Sequence, residues 1–126
     1  MKTVEVGKLG EDAAVKFLKK NGYKVLERNL HVSHNEIDVI AKNKEFIVFV
    51  EVKTRSTDAS LYSDFGTPAS AVDYQKKKRT VDAARYYLKS VKNAGLQPRF
   101  DVIEVYLNKE DKSILKINHI INAFGA

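Results

Sequence analysis

The run E-F-I-V-F-V-E-V-K-T, residues 45–54, decides the fold of this chain. Both of its alternating sets of side chains are apolar. A strand that is apolar on both sides is covered on both faces, as is the central strand of a layered α/β protein. We therefore predict a central strand over Phe46–Lys53, which ends on a carboxylate and an amine, Glu51 and Lys53.

Helical and extended patterns surround this strand in an order that defines a fold class. The predicted helices cover Gly7–Asn21 and Asp73–Val91; the predicted strands cover Tyr23–Asn29, Glu36–Ala41, Phe46–Lys53, Arg99–Tyr106 and, more weakly, Ser113–Ile117, before a tail, Asn118–Phe124, that fits a short helix or an edge segment. This order predicts an α/β fold with an αβββαβ core, in which a central mixed sheet is flanked by helices.

The stretch between the central strand and the second helix, residues 54–70, is polar and contains Gly66 and Pro68. We predict a long, weakly ordered connection there. The strand before it, the helix after it and the next strand would then form a right-handed parallel crossover.

Composition narrows the class of protein. A chain of 126 residues with 44% apolar and 30% charged residues predicts one globular domain, 1–126. No apolar run approaches the roughly 20 residues that span a bilayer, and the first residues lack a signal peptide's apolar block, so we expect a cytoplasmic protein. The absence of cysteine excludes thiolate metal sites and thiol nucleophiles. The net charge of +6 fits a polyanionic partner or a plain solvated surface.

Acidic side chains recur at the end of the central strand and on the strand before it. Residues two apart on a strand point the same way, so Glu51 and Lys53 share a face, as do Glu36 and Asp38. If an even number of residues joins the two strands, Asp38 lies on the same face as Glu51, directly across or one diagonal away. An odd number would separate them.

Two neighbouring carboxylates need a positive partner, because like charges at short range cannot both stay ionised without compensation. Asp38 and Glu51 offer the hard oxygen ligands that suit Mg²⁺, or Mn²⁺ in its place. Such a cation makes water more acidic, and Lys53 could orient that water or stabilise charge on a phosphorus atom. This set predicts phosphodiester hydrolysis.

Three further charged residues fit the same site. Glu11 falls on the apolar side of the first helix, where it could serve as another metal ligand or hold a water molecule. Lys76 and Lys77, at the start of the second helix, could contact the scissile phosphate or its neighbour.

Simpler interpretations remain open for each residue. An acid-x-lysine tripeptide is common at strand ends as a plain salt bridge, and Glu110-Asp111-Lys112 provides a solvated example in this chain. The basic run that begins at Lys76 fits a solvated helix face as well as a phosphate site. Glu36 fits a rim position or a fourth acid of the site, and Asp101 fits a brace between neighbouring elements.

Several motifs together resemble the YraN-like family of small bacterial proteins. They are Gly10-Glu11-x-x-Ala14, Arg28-Asn29, Glu36-Ile37-Asp38-x-Ile40-Ala41, Phe49-Val50-Glu51-Val52-Lys53-x-Arg55, Ala71-Val72 ahead of Lys76, and Arg99-Phe100-Asp101-Val102-Ile103. The resemblance implies a restriction-endonuclease-like fold with the PD-(D/E)XK nuclease motif, similar to archaeal Holliday-junction resolvases.

For this chain, the resemblance implies a divalent-metal nuclease site made of Glu11, Asp38, Glu51 and Lys53, with Arg55 beside it as a nucleic-acid contact. It also implies DNA as the partner, branched or recombination intermediates as substrates, and a homodimer. Two alternatives remain: a nucleic-acid-binding module that does not cut, and an adaptor that docks other DNA-processing proteins.

Overall fold

A computed structural model describes residues 3–58, 74–92 and 95–125. The elements are α1 (Thr3–Lys20), β1 (Lys24–Val32), β2 (Asn35–Lys42), β3 (Phe46–Thr57), α2 (Tyr74–Ser90), β4 (Gln97–Asn108) and β5 (Ile114–Phe124). The predicted helix start at Asp73 and most of the predicted connection, residues 59–70, lie outside the described residues.

The five strands form one mixed sheet in the order β1-β2-β3-β4-β5. Neighbouring strands are antiparallel except for β3 and β4, which are parallel in continuous register from Phe46 opposite Gln97 to Thr57 opposite Asn108. The prediction that residues 46–53 form the central strand is confirmed, as is the αβββαβ order of a mixed α/β fold.

Apolar clusters cover both faces of the sheet. On one face, Ala14 and Leu18 of α1 pack against Val39, Val48 and other buried side chains of β2, β3 and β4. On the other face, Val81 and Ala84 of α2 pack against Ile40, Phe49 and Phe100. The alternate residues of β3 therefore enter different layers, which explains why its sequence is apolar in both sets.

Helix α1 approaches the sheet most closely at Gly10. A Cβ atom at this position would lie 1.8 Å from Thr54 Oγ1 and 2.8 Å from Thr54 Cβ, so only glycine fits. This contact sets the height of α1 above β3 and places the next residue, Glu11, over the sheet. The helix ends at Lys20, one residue before the predicted end at Asn21, and the glycine that follows, Gly22, has a φ of +90° that favours glycine.

One predicted strand end is wrong, and of the two possibilities left open for the tail the edge segment is confirmed. Strand β3 continues to Thr57 instead of ending at Lys53, because the parallel ladder with β4 continues through its polar residues. The segment from Asn118 to Phe124 belongs to β5, an edge strand that pairs antiparallel with β4. Alternation was too weak in both segments to signal a strand.

Asp101, on β4, is a fully buried brace between elements, as its position in the sequence suggested. Its oxygens accept hydrogen bonds from Arg99 Nε at 3.0 Å and from the Asn122 amide at 2.9 Å, and His119 Nε2 lies 2.7 Å away. Arg99 also donates to the Tyr23 hydroxyl at 2.6 Å. This network ties β4 to β5 and to the start of β1.

Among the described residues, neither helix combines the length and the apolar character needed to cross a membrane.

Candidate functional site

A fork opens in the sheet between β2 and β3. Their pairing runs from Lys42 opposite Ile47 to Val39 opposite Val50. Beyond that point the Val52 amide donates a hydrogen bond to Asp38 Oδ2 at 2.9 Å, so a carboxylate occupies the place of the next backbone acceptor. The strands separate at the predicted acidic residues.

Strand β1 is also irregular next to Asp38. Its register with β2 places Arg28 opposite Val39 and Leu30 opposite Ile37, without a pairing at Asn29 and Asp38 between them. Asn29 has a φ of +50°, in the left-handed region that asparagine tolerates better than most residues. Asp38 is therefore released from regular pairing on both sides.

Asp38 and Glu51 lie across the fork from each other. Four residues, 43–46, separate Lys42 from its partner Ile47 at the connection between the strands. At the other end of the ladder, one step beyond the Val39–Val50 pair, the same register sets Asp38 opposite Glu51. Burial, and after it the charge of Glu51, raise the pKa of Asp38 to about 7 against the opposing hydrogen bond from the Val52 amide. The even connection required by the sequence argument is present.

Glu51 is buried on the α2 side of the sheet, with 5% of its side chain exposed. Lys76 Nζ, from the first turn of α2, lies 3.0 Å from Glu51 Oε2. Burial lowers the pKa of the Lys76 amine, but the hydrogen bond and charge of Glu51, with the charges of Asp38 and Glu36, outweigh burial and leave it raised. Lys76 is the positive partner of this acidic group.

Glu11 faces inward from α1, as its helical position predicted, but a guanidinium and a side-chain amide bind it. Arg28 donates to Glu11 Oε1 at 2.8 Å and Asn29 donates to the same oxygen at 3.0 Å. Arg28 also binds Asp12 Oδ1 at 2.6 Å. The sequence did not identify Arg28 as the partner of Glu11, because α1 and β1 meet only in the tertiary fold.

A cavity of about 950 Å³ lies between α1 and the fork. Its lining includes Glu11, Glu36, Asp38 and Lys53, with Arg28 and Asn29 on the β1 side. Glu51 does not line it; its carboxylate is paired with Lys76 of α2. Three of the four predicted catalytic residues thus share one cavity, and the fourth adjoins Asp38 through the fork.

Lys53 has no ion pair or hydrogen bond with any residue in the described part of the chain, and its side chain is half-buried. The Lys53 amine is therefore available to a ligand, and Lys53 lines the cavity beside α1. Lys77 lies elsewhere, in a groove with Tyr74, Arg85 and Gly125 at the end of β5. The structure therefore separates Lys77 from Lys76, although the sequence placed both lysines at the phosphate site.

One buried acid near the fork escaped the sequence analysis. Glu104, on β4, is the register partner of Lys53, and its fully buried carboxylate accepts hydrogen bonds from Arg55 on the α2 face of the sheet. Its only sequence signal was an acid within the apolar run R-F-D-V-I-E-V, residues 99–105. That signal does not distinguish it from Asp101, which proved to be a brace.

Two of the acidic side chains, Asp38 and Glu51, fit as ligands of one divalent cation. Within residues 3–58, 74–92 and 95–125, no three histidine or acidic side chains are arranged as ligands of one ion. Asp38 and Glu51 nonetheless supply two hard carboxylates that lack sufficient positive charge, and Mg²⁺ is usually held by one or two carboxylates together with water and substrate phosphates. Glu11 would join them only after leaving Arg28.

Sequence comparison identifies relatives over nearly the whole chain. The sequence profile of Uncharacterised protein family UPF0102 matches residues 10–105. The chain is 49% identical over 119 residues to a UPF0102 protein of Caldanaerobacter subterraneus subsp. tengcongensis, which covers 94% of this chain and 93% of that protein. Identity to the UPF0102 protein of Dictyoglomus thermophilum is 42% over 124 residues, covering 98% of this chain and 100% of that one.

A solved structure shows a weaker likeness. The chain is similar to an XisH family protein from Nostoc punctiforme, with a TM-score of 0.40 and 12% sequence identity, over 86% of this chain and 98% of that chain.

Proposed function

This chain belongs to Uncharacterised protein family UPF0102, the YraN-like family that its motifs predicted, and we propose that it is a divalent-metal-dependent nuclease that hydrolyses DNA phosphodiester bonds. The proposal includes membership of the restriction-endonuclease-like superfamily, branched or recombination intermediates as substrates, and action as a homodimer in the cytoplasm.

The observation that supports it best is the apposition of Asp38 and Glu51 at the fork. The raised pKa of Asp38, caused first by burial and then by the charge of Glu51, indicates an acidic group that lacks a full complement of positive charge. Strongly perturbed acids in a polar cavity are typical of functional sites. A site built for stability alone would pair these carboxylates fully, as the Asp101 network does.

Asp38 and Glu51 would hold Mg²⁺ or Mn²⁺, with Glu11 as an additional ligand or a holder of water. When bound, the cation would make a water molecule more acidic and offset charge on the phosphate. The protein's own contribution is to keep the two acids close together at the point where β2 and β3 separate.

The cations around the fork would bind the substrate. Lys53 has an amine without a partner among the described residues, at the cavity rim beside Asp38, where it could stabilise charge on the reacting phosphate. Lys76 compensates Glu51 in this structure and could turn towards the phosphate once Glu51 has another positive partner. The net charge of +6 favours a polyanionic substrate in general.

Cleavage of labelled four-way junction, duplex and single-stranded DNA with Mg²⁺ or Mn²⁺ tests the proposal. Glu51→Gln keeps the shape of the side chain but removes a charged ligand, and we expect it to lower the cleavage rate at least 100-fold. The matched control is Glu110→Gln, because Glu110-Asp111-Lys112 repeats the acid-x-lysine pattern in an exposed turn. Equal cleavage by folded Glu51→Gln and wild type would overturn the catalytic assignment.

Binding without cleavage is the second candidate. The observation that favours it is the tie between Glu11 and Arg28, because a third carboxylate ligand is not free in this structure. DNA binding that survives chelation, with no cleavage of any substrate under any divalent cation, would select this function. Weak binding that is insensitive to salt would instead favour an adaptor, since phosphate contacts release counterions.

A further inference from the structure

The buried acid next to the fork holds one half-exposed cation. Arg55 donates from Nε and from Nη2 to Glu104 Oε2, each at 3.4 Å. The Glu104 side chain is 1% exposed, whereas the Arg55 side chain is 41% exposed. The carboxylate is therefore an interior support, and the guanidinium reaches solvent.

The remaining acceptor of Glu104 is also engaged. Tyr106 donates its hydroxyl to Glu104 Oε1 at 2.9 Å, and Asn118 Nδ2 lies 3.5 Å from the same oxygen. Asn118 is the register partner of Glu104 across the β4–β5 ladder. Without Arg55, side chains from two strands, β4 and β5, still hold the carboxylate.

Arg55, in contrast, has spare hydrogen-bonding capacity. Among residues in the described ranges, its only partner is Glu104. A guanidinium carries five N–H donors in one plane, and their spacing matches the oxygens of a phosphate. Its outward donors can bind a ligand while Glu104 holds the inner edge.

The place of Arg55 on β3 links it to the proposed site. Glu51, Lys53 and Arg55 are alternate residues of one strand and point to the same face. Each step of two residues is about 6.6 Å, so the guanidinium follows Lys53 along the same line from Glu51. A nucleic-acid strand whose reacting phosphate lies at Lys53 would carry a neighbouring phosphate towards Arg55.

Stability alone does not explain this pair. Replacing a buried ion pair by apolar side chains of similar volume is often neutral or stabilising. A fully buried glutamate that supports a half-exposed arginine fits the need to fix one guanidinium in a defined place.

We propose that Glu104 is a positioning residue that orients the Arg55 guanidinium to bind the phosphate next to the one that reacts. Tyr106 and Asn118 complete this support. The inference rests on the proposed function only in taking DNA as the ligand, because it requires binding and not cleavage.

Binding of labelled four-way junction DNA in chelator, where no cleavage takes place, tests this inference. We expect Arg55→Gln to weaken binding about 5- to 10-fold and to reduce the slope of log K against log salt by about 0.9, the contribution of one phosphate contact. Glu104→Gln should weaken binding several-fold in the wild-type background and have no effect in the Arg55→Gln background. Glu110→Gln, in the exposed turn, should change neither quantity.

A purely structural Glu104 would give a different pattern. Glu104→Gln would then weaken binding equally in both backgrounds, and this result would overturn the inference, as would an Arg55→Gln variant with unchanged binding and salt slope. If Glu104→Gln does not fold, Tyr106→Phe decides the question, because it removes one donor to Glu104 and should show the same dependence on Arg55.

The two proposals fail separately. Coupling between Glu104 and Arg55 without cleavage of any substrate would contradict the nuclease proposal and leave the positioning role supported. Cleavage that depends on Glu51, with no coupling between Glu104 and Arg55, would do the reverse.

Discussion

Asp101 and Asp38 are acids on neighbouring parts of one sheet, and their surroundings shift their pKa values in opposite directions. Burial raises the pKa of Asp101, but hydrogen bonds from His119, Arg99 and the Asn122 amide outweigh it and leave the pKa lowered. Burial also raises the pKa of Asp38, but there the next influence is the like charge of Glu51, and the pKa reaches about 7.

The difference separates a structural acid from a candidate functional one. Asp101 has a cation, an imidazole and an amide around it, and it needs nothing more. Asp38 has one amide, and Lys76, the cation whose charge lowers the pKa of Asp38, is already paired with Glu51. What Asp38 lacks is positive charge, which a divalent cation would supply.

The largest expected effect comes from removing the compensated acid. Asp101→Ala leaves the buried Arg99 and His119 without their acceptor, and we expect it to lower the free energy of unfolding by about 3 to 5 kcal/mol, measured by urea denaturation. Asp82→Ala is the matched control, because its partners on α2 are exposed and the loss should stay below about 1 kcal/mol. Equal losses in the two variants would contradict the comparison.

Neutralising the uncompensated acid, Asp38, should change the free energy of unfolding in the opposite direction. In chelator at pH 8, Asp38→Asn should raise the free energy of unfolding by roughly 2 to 4 kcal/mol, since one pKa unit is worth about 1.4 kcal/mol. The asparagine oxygen can still accept from the Val52 amide, so the change removes charge and keeps the shape. Urea denaturation from pH 3 to pH 9 measures the difference.

The pH dependence follows from the raised pKa. Below about pH 4 the carboxyl is protonated in both folded and unfolded chains, so the variant and the wild type should be equally stable. Between about pH 4 and pH 7 the unfolded chain releases the proton first, which costs the wild type stability as pH rises. Adding Mg²⁺ at pH 8 should then stabilise the wild type more than Asp38→Asn. A difference that is constant with pH would contradict the raised pKa.

A third effect separates packing from charge. Gly10→Ala places a methyl group against Thr54, and we expect a loss of about 1 to 3 kcal/mol together with weaker cleavage, because α1 and Glu11 must move off the sheet. Gly7→Ala is the matched control on the same helix: nothing lies within 4 Å of its added Cβ, so it should gain about 0.5 to 1 kcal/mol from helix propensity. Thermal unfolding of the two variants measures both.

The central strand and the apposed acids could be predicted from sequence because both depend on local patterns. Double-sided apolar alternation placed residues 46–53 inside the sheet, and a connection of even length set Asp38 opposite Glu51. The motifs also led to the YraN-like family, which the comparison confirmed. In each case the signal was carried by residues close together along the chain.

The remaining contacts join elements that are distant in the chain, and their sequence carries no signal for them. The sequence around Glu11 does not indicate that Arg28 binds it. The sequence around Lys76 does not indicate that this lysine pairs with Glu51 instead of facing solvent. Glu104 and Asp101 look alike in sequence, since both are acids in one apolar strand. Only the tertiary partners distinguish a brace from a support for Arg55.

The smallest expected effect tests how the charges around Asp38 are ranked. Glu51 raises the pKa of Asp38 more than Glu36 does, because Glu51 is buried across the fork whereas Glu36 is exposed at the cavity rim. NMR titration of the Asp38 carboxyl carbon in chelator should show a lower pKa in Glu51→Gln and a smaller decrease in Glu36→Gln. His31→Gln, which alters only the exposed partner of Glu36, is the control and should leave the titration nearly unchanged. A larger decrease in Glu36→Gln than in Glu51→Gln would mean that the cavity, and not the fork, sets the charge on Asp38, and Glu36 would then replace Glu51 as the second metal ligand to test.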